Sequence, residues 1–167
     1  LVENKFGLNY HMYRRILESM GVVYLSDSSI DVSDNICIHG LDLEKKYYLR
    51  RFKKPLDKGY IKERLHIDKS HYNILLAHSP LFIKDYAKCG VDLTLCGHFH
   101  GGTVRLPYGI GVMTPQFHFF CRLVVGMKRL GEMVEIIGAG LGTHSINIRL
   151  NDMSELIVIN LKGRKRD

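Results

Sequence analysis

A strand, a helix and a second strand are predicted between residues 73 and 96, and this unit constrains the fold more than any other feature. Residues 73–77, NILLA, form a short apolar run that is typical of a strand covered on both faces. Residues 81–89 predict a helix that ends at Gly90, and residues 91–96 predict the next strand. A crossover of this size makes the two strands parallel, so both end at one edge of the sheet.

Histidines follow both predicted strands at that edge. His78 comes directly after the first strand, and His98 and His100 follow the second in the segment GHFHGG. In extended backbone, residues two apart project to the same side, so we expect these last two imidazoles to converge. Gly101 and Gly102 carry no Cβ and allow a sharp turn or a close approach. Because ligands of open α/β sheets bind outside the carboxyl ends of strands, the pattern predicts a metal or anion site.

Local patterns predict further elements. Apolar residues at helical spacing indicate an amphipathic helix over residues 12–20 that ends at Gly21. The other predicted strands are residues 22–25, a hairpin of residues 29–32 and 36–41, and residues 103–106, 119–125, 134–137 and 156–161. Residues 107–120 are expected to form a loop. The class is α/β.

Composition limits what the whole chain can be. The chain has 167 residues, of which 46% are hydrophobic and 25% are charged. This length and composition predict a single domain over residues 1–167. No apolar run approaches the roughly 18 residues that span a bilayer, and the first residues lack a signal-peptide pattern. The four cysteines form no CxxC pair, which favours reduced thiols and a cytoplasmic location.

Positive charge is concentrated in one long stretch. The net charge is +7, and residues 44–69 contain ten Lys or Arg against four Asp or Glu, with tyrosines between them. A stretch of this kind suits a phosphorylated substrate, an anionic membrane surface or nucleic acid, of which we place nucleic acid last. A solvated surface face is the alternative.

Two segments resemble motifs of a known family. NILLAHSP and GHFHGGTVRLP together resemble the fourth and fifth motifs of the calcineurin-like metallophosphoesterases, in particular the bacterial phosphodiesterase-like branch. GAGLGTHSINIRL resembles a later signature of that branch, so the resemblance spans nearly the whole chain. It implies an α/β/β/α sandwich with two mixed β-sheets, and hydrolysis of phosphomonoesters or phosphodiesters by metal-activated hydroxide.

The resemblance also implies the residues of the site. In the complete enzyme two divalent metal ions, Mn, Fe or Zn, would be bound, with His78 and His98 on one ion and His100 on the other. The candidates for binding the phosphate group are Arg105, Gly101 and Gly102. For Arg105, a structural ion pair is the alternative.

Three motifs of that family are not present in the sequence: Asp-x-His, Gly-Asp-x-x-Asp and Gly-Asn-His-[Asp/Glu]. In the family these motifs supply the other metal ligands, the bridging carboxylate and the histidine thought to protonate the leaving group. We therefore expect a C-terminal portion of a phosphoesterase domain, whose catalytic acid lies upstream and which cannot alone hold a productive metal pair. Its later strands should form the more intact sheet. A preceding segment could carry a membrane anchor, so the cytoplasmic membrane face is a second expected location.

Two other functions stay open. The first is a non-catalytic module that binds nucleic acid or an anionic membrane through the basic stretch, for which binding should depend steeply on salt. The second is a single metal ion held by three histidines with one open position, for which the metal content should be one per chain.

Overall fold

The computed structural model describes residues 8–49, 55–102, 104–114, 119–122, 124–142 and 149–163. Within these ranges the chain forms two α-helices and nine strands, which confirms the α/β class. The elements are α1 (Leu8–Ser19), β1 (Ser28–Ser33), β2 (Ile36–Leu41), β3 (Tyr72–Ala77), α2 (Ile83–Cys89), β4 (Leu93–Cys96), β5 (Arg105–Leu106), β6 (Ile110–Met113), β7 (Phe119–Cys121), β8 (Gly126–Leu130) and β9 (Met133–Ile137). That residues 1–167 form one domain stays a prediction.

Six strands form a mixed sheet in the order β1-β2-β3-β4-β9-β8. β1 and β2 pair as the predicted antiparallel hairpin. β2, β3, β4 and β9 are parallel neighbours, and β8 lies antiparallel to β9 at the far edge. The predicted crossover from β3 through α2 to β4 is confirmed, with Ile74 opposite Leu93. Both strands therefore end at the same edge of the sheet.

A second, smaller sheet follows the loop after β4. Its strands β5, β6 and β7 are antiparallel, and an isolated parallel bridge joins Val104 to Leu150 beside it. A Cβ on Gly102 would lie 2.6 Å from Cα of Gly111, so the two chain segments need glycine to approach this closely. The expectation that the later strands form the more intact sheet is wrong, because β9 and β8 pair with β4 and extend the first sheet instead.

One face of the large sheet is covered by α2 and by residues 56–67, and the hydrophobic core lies between them. Leu75, Tyr47 and Tyr86 are fully buried there. Tyr47 and Tyr60 meet edge to face, with ring centroids 4.9 Å apart. Burying rings and leucines of this size supplies most of the favourable free energy of such a core.

The opposite face and α1 are less covered. Leu76 on that face is 39% exposed. The hydroxyl of Tyr10 in α1 donates a hydrogen bond to the hydroxyl of Tyr24 at 2.7 Å, while Met12 and Ile16 of the same helix stay 61% and 51% exposed. The helix predicted from the apolar spacing is therefore confirmed, but most of its apolar side chains remain in solvent. None of the helices in the described ranges is long and apolar enough to cross a membrane.

Several strand predictions differ from the structure. Residues 22–25 and 156–161 form no strand. The first segment instead crosses β2, where the carbonyl oxygen of Leu25 lies 2.6 Å from the position of a Cβ on Gly40. The strands β6 and β8 were not predicted, because glycines lower the intrinsic preference of these segments for strand conformation. Pairing with neighbouring strands overrides that low preference in the structure. Residues 103 and 123 of the predicted strands lie outside the described residues.

Candidate metal centre

His78 and His98 meet at the carboxyl edge of the large sheet. Their ring centroids are 4.9 Å apart, and the rings are nearly perpendicular at 69°. The backbone N–H of Gly97 donates to the carbonyl of His78 at 3.1 Å, which ties the end of β4 to the end of β3. The topology thus brings together two of the three histidines that the sequence singled out. Their role as metal ligands stays a prediction.

The environment of His78 favours the neutral form of its imidazole. Packing against neighbouring rings removes water from it, and the nearby His100 disfavours a second positive charge. Both effects lower the pKa of His78 below its usual value. A neutral imidazole has the free lone pair that a divalent metal requires.

The loop that carries His98 and His100 has an unusual backbone. Their φ angles are 68° and 45°, rather than the extended values that the sequence pattern suggested. Gly101 and Gly102 continue the left-handed run with φ of 68° and 83°. Residues other than glycine rarely adopt this region, at a cost of about 1–3 kcal/mol each, and such positions concentrate at functional sites. The tight loop therefore marks this edge as a candidate site independently of the histidines.

Tyr48 belongs to the same cluster, although its place beside the histidines was not predicted from the sequence. Its ring centroid lies 5.2 Å from that of His98 and 6.0 Å from that of His78. Burial, followed by the neighbouring carboxylate of Asp42, raises the pKa of Tyr48 well above its usual value, so the hydroxyl stays protonated. Its one sequence signal is its position among the aromatic residues of the basic stretch.

A carboxylate also reaches this edge. Asp42 directly follows β2, whose last residue, Leu41, pairs with Ala77 of β3, the residue before His78. Asp42 and His78 line one open cleft of about 350 Å³. Asp42 was not predicted from the sequence either, because only the pairing of β2 with β3 places it beside His78.

The candidates for phosphate binding already have partners within the protein. Arg105 forms an ion pair with the buried Asp152, which is the structural alternative that the sequence left open. A Cβ on Gly101 would lie 1.8 Å from Oδ1 of Asp152, so that carboxylate packs directly on the loop. The N–H of Gly102 donates to the carbonyl of Phe99 at 2.7 Å. Their role toward a phosphate group stays a prediction.

The histidine pair fits the donor chemistry of a divalent transition metal only in part. Two imidazoles, 4.9 Å apart between ring centroids, are suitable ligands for Mn, Fe or Zn. However, among the residues that the structure describes, no group of three or more His, Cys, Asp or Glu side chains is arranged to hold a metal ion. The described residues therefore do not form a complete coordination shell.

The basic stretch is partly neutralised by its own neighbours. Lys46 lies 3.3 Å from Glu44 and 2.7 Å from Asp57, and Arg64 lies 2.9 Å from Glu44. These pairs favour a solvated surface face for that part of the stretch. Residues 50–54, which contain four of its positive charges, lie outside the described residues.

The structure thus defines an α/β protein with a candidate ligand site where histidines follow parallel strands. Comparison with known proteins indicates the family to which this chain is similar. The chain is 32% identical over 103 residues to an uncharacterized metallophosphoesterase of Campylobacter jejuni, covering 61% of this chain and 26% of that protein. It is 28% identical over 162 residues to an uncharacterized metallophosphoesterase of Aquifex aeolicus, covering 95% and 57%. The uncharacterized metallophosphoesterase YkuE of Bacillus subtilis is 33% identical over 95 residues, covering 55% and 32%.

These similarities confirm the resemblance to the metallophosphoesterases that the motifs indicated. The chain spans between about a quarter and just over half of the length of these relatives. No family model matches the chain. No solved structure matches it significantly.

Proposed function

We propose that this chain carries histidine ligands of the metal centre of a phosphoesterase, which hydrolyses phosphomonoesters or phosphodiesters. The meeting of His78 and His98 at the ends of β3 and β4, with ring centroids 4.9 Å apart, carries the proposal. The names of the three relatives described above, each an uncharacterized metallophosphoesterase, support the reaction class.

In this proposal His78 and His98 hold one divalent ion and His100 holds the other. The bound metal would supply an activated hydroxide and offset the charge of the phosphate group. His78 contributes a neutral imidazole, because its pKa is lowered by desolvation and by His100. Tyr48 packs against the rings of His78 and His98, which limits their rotation and excludes water from one side.

Carboxylate ligands have to complete such a centre. The sequence contains none of the three motifs that supply them in the family, as noted above. Asp42 shares a cleft with His78 and is one candidate within the chain. Residues outside this sequence are the other possible source of carboxylate ligands. With those ligands, the protein would hold two metal ions rather than one.

The proposed location is the cytoplasm or the cytoplasmic face of a membrane. Four free cysteines support a reducing compartment. The ten positive charges of residues 44–69 would be attracted to anionic lipid. The local ion pairs of Lys46 and Arg64 lend no support to a module for nucleic acid.

Cobalt binding and ester hydrolysis together test the proposal. The folded chain is titrated with Co²⁺ and followed by visible absorption, and the same samples are assayed with bis(p-nitrophenyl) phosphate. We expect His78→Ala and His98→Ala to weaken Co²⁺ binding by more than the roughly 10- to 100-fold that loss of an outer hydrogen-bond partner costs. Where the gene encodes residues before Leu1, the longer protein is assayed beside the chain.

His66→Ala is the matched control, since His66 is exposed and lines a different cleft, with Asp31 and Cys37. It should leave Co²⁺ binding unchanged. Two results contradict the proposal: no Co²⁺ binding by either the folded chain or the longer protein, or equal Co²⁺ binding after both ligand substitutions. One Co²⁺ per chain with turnover would favour the mononuclear alternative.

A further inference from the structure

A buried ion-pair network lies directly behind the histidine loop. The side chain of Asp152 has no exposed surface, forms an ion pair with Arg105, and has Oδ2 3.8 Å from Nη1 of Arg149. Arg105 and Asp152 are 47 positions apart in the sequence. The network therefore joins β5, which follows the loop, to the segment after residue 149. A buried carboxylate is tolerated only when cations compensate it, so its partners are held in defined positions.

This network reaches the loop at two points. The first is Gly101, where a Cβ would lie 1.8 Å from Oδ1 of Asp152, so the backbone after His100 packs on the carboxylate. The second is the carbonyl of Gly142. Nη2 of Arg149 donates to that carbonyl, and Nδ1 of His100 lies 3.3 Å from it. Arg149 and His100 thus share one acceptor.

The shared acceptor determines the tautomer of His100. A carbonyl oxygen can only accept, so the Nδ1 of His100 must carry the proton in this hydrogen bond. In the neutral imidazole, Nε2 then carries the lone pair and no proton. In metal sites, the hydrogen bond made by one ring nitrogen sets which of the two is available to the metal.

We propose that Arg149 and Asp152 are positioning residues for His100. Arg149 holds the Gly142 carbonyl where Nδ1–H can reach it, and Asp152 holds both Arg149 and the turn at Gly101. Together they present Nε2 of His100 as the ligand atom. That His100 is a ligand rests on the proposed function, whereas the tautomer follows from the network alone.

The tautomer is measured in the metal-free chain with ¹⁵N-labelled histidine, by two-bond ¹H–¹⁵N spectra at a pH where the imidazoles are neutral. The His100 signals are assigned by their loss in His100→Gln. We expect Nδ1 protonation in the wild type and a shift toward Nε2 protonation in Arg149→Lys, which keeps the charge beside Asp152 but not the guanidinium. Arg129→Lys, an exposed arginine of β8, is the matched control and should leave the spectrum unchanged.

Two results would overturn the proposal. One is a wild-type His100 that is protonated on Nε2, and the other is a folded Arg149→Lys variant that keeps the Nδ1 form. Asp152→Asn should give the same shift, and if it does not fold, Arg149→Lys decides alone. Thermal melts establish which variants are folded.

Cobalt affinity separates this inference from the proposed function. We expect Arg149→Lys to lose about 10- to 100-fold in Co²⁺ affinity, as other partners of metal-bound histidines do. If the wild type shows the Nδ1 tautomer but neither it nor the longer protein binds Co²⁺, the proposed function fails and the positioning stands. If the wild type binds Co²⁺ but the tautomer does not respond to Arg149→Lys, the positioning fails and the proposed function stands.

Discussion

The covered face of the large sheet and the histidine loop at its edge differ in what holds them in place. On the covered face, Leu75, Tyr47 and Tyr86 are fully buried among other apolar side chains. Behind the loop, the buried group is a carboxylate, Asp152, compensated by arginines. When a side chain in an apolar core is truncated, the loss of stability grows with the apolar area and volume removed. When one partner of a buried ion pair is removed, the other charge is left buried without compensation and the loss is large.

The two regions differ in backbone conformation as well. β3 and β4 are regular strands with continuous parallel pairing. The loop after them contains two non-glycine residues with positive φ, His98 and His100. Regular strand pairing provides hydrogen-bond partners for the backbone N–H and C=O groups. A strained loop, in contrast, persists only where contacts with the surrounding structure hold it. The sheet is therefore held by its own pairing and apolar burial, whereas the geometry of the candidate site depends on long-range polar contacts.

The largest effect should come from Asp152→Asn. Removing the charge leaves Arg105 and Arg149 without their buried partner, and breaking such a pair costs about 3–5 kcal/mol. The free energy of unfolding is measured by urea denaturation. Asp34→Asn, at an exposed position, is the control and should change stability by no more than about 0.5 kcal/mol. Equal effects of the two substitutions would remove the distinction between loop and surface.

Leu75→Ala tests the covered face. The side chain is completely buried on the central strand β3, so the substitution should cost about 2–5 kcal/mol through lost burial and the cavity left behind. Leu156→Ala, at a position 82% exposed, should cost less than about 0.5 kcal/mol. Both are compared in urea melts. If Leu75→Ala cost no more than the control, the assignment of the core to this face would be wrong.

Glu135 of β9 is a carboxyl group buried on the otherwise apolar covered face. Its Oε1 lies 3.7 Å from Sγ of Cys96. Burial raises the pKa of Glu135 from 4.5 to about 7. The folded state therefore holds this proton more tightly than the unfolded state. The stability it contributes is fully present below about pH 4.5 and is lost as the pH rises through about 7, by about 3 kcal/mol in all.

Glu135→Gln should remove that part of the pH dependence. The free energy of unfolding is measured from pH 4.5 to above 7 in the wild type and the variant, and the difference between the two profiles is the test. Glu132→Gln, at an exposed turn, should reproduce the wild-type profile. Parallel profiles for Glu135→Gln and the wild type would show that the carboxyl is not desolvated in the folded protein.

The smallest effect is expected at the end of α2. Gly90 closes this helix with φ of 90°, a conformation that costs a residue with a Cβ about 1–2 kcal/mol. Gly90→Ala should therefore lower stability by about 1 kcal/mol in urea melts. Gly163→Ala, where a Cβ meets nothing within 4 Å, is the control and should have no measurable effect. A neutral Gly90→Ala would mean that the connection between α2 and β4 adjusts without strain.

Patterns within short segments allowed much of the fold to be predicted. The apolar run before His78, the helix that ends at Gly90 and the hairpin of β1 and β2 all depend on neighbouring residues, and the structure contains each of them. The parallel crossover then required both strands to end at one edge. The strand predicted over residues 22–25 is wrong, because an apolar run indicates burial but does not show whether a neighbouring strand is available for pairing.

The sequence alone thus determined the α/β class, the edge at which His78 and His98 collect, and the resemblance to the metallophosphoesterases, because these follow from local periodicity and short motifs. Tertiary structure alone placed Tyr48 and Asp42 at that edge and joined Arg105 to Asp152. Contacts between segments tens of residues apart leave no periodic signal in either segment. They form only when the sheet has brought the segments together, and the candidate site depends on them.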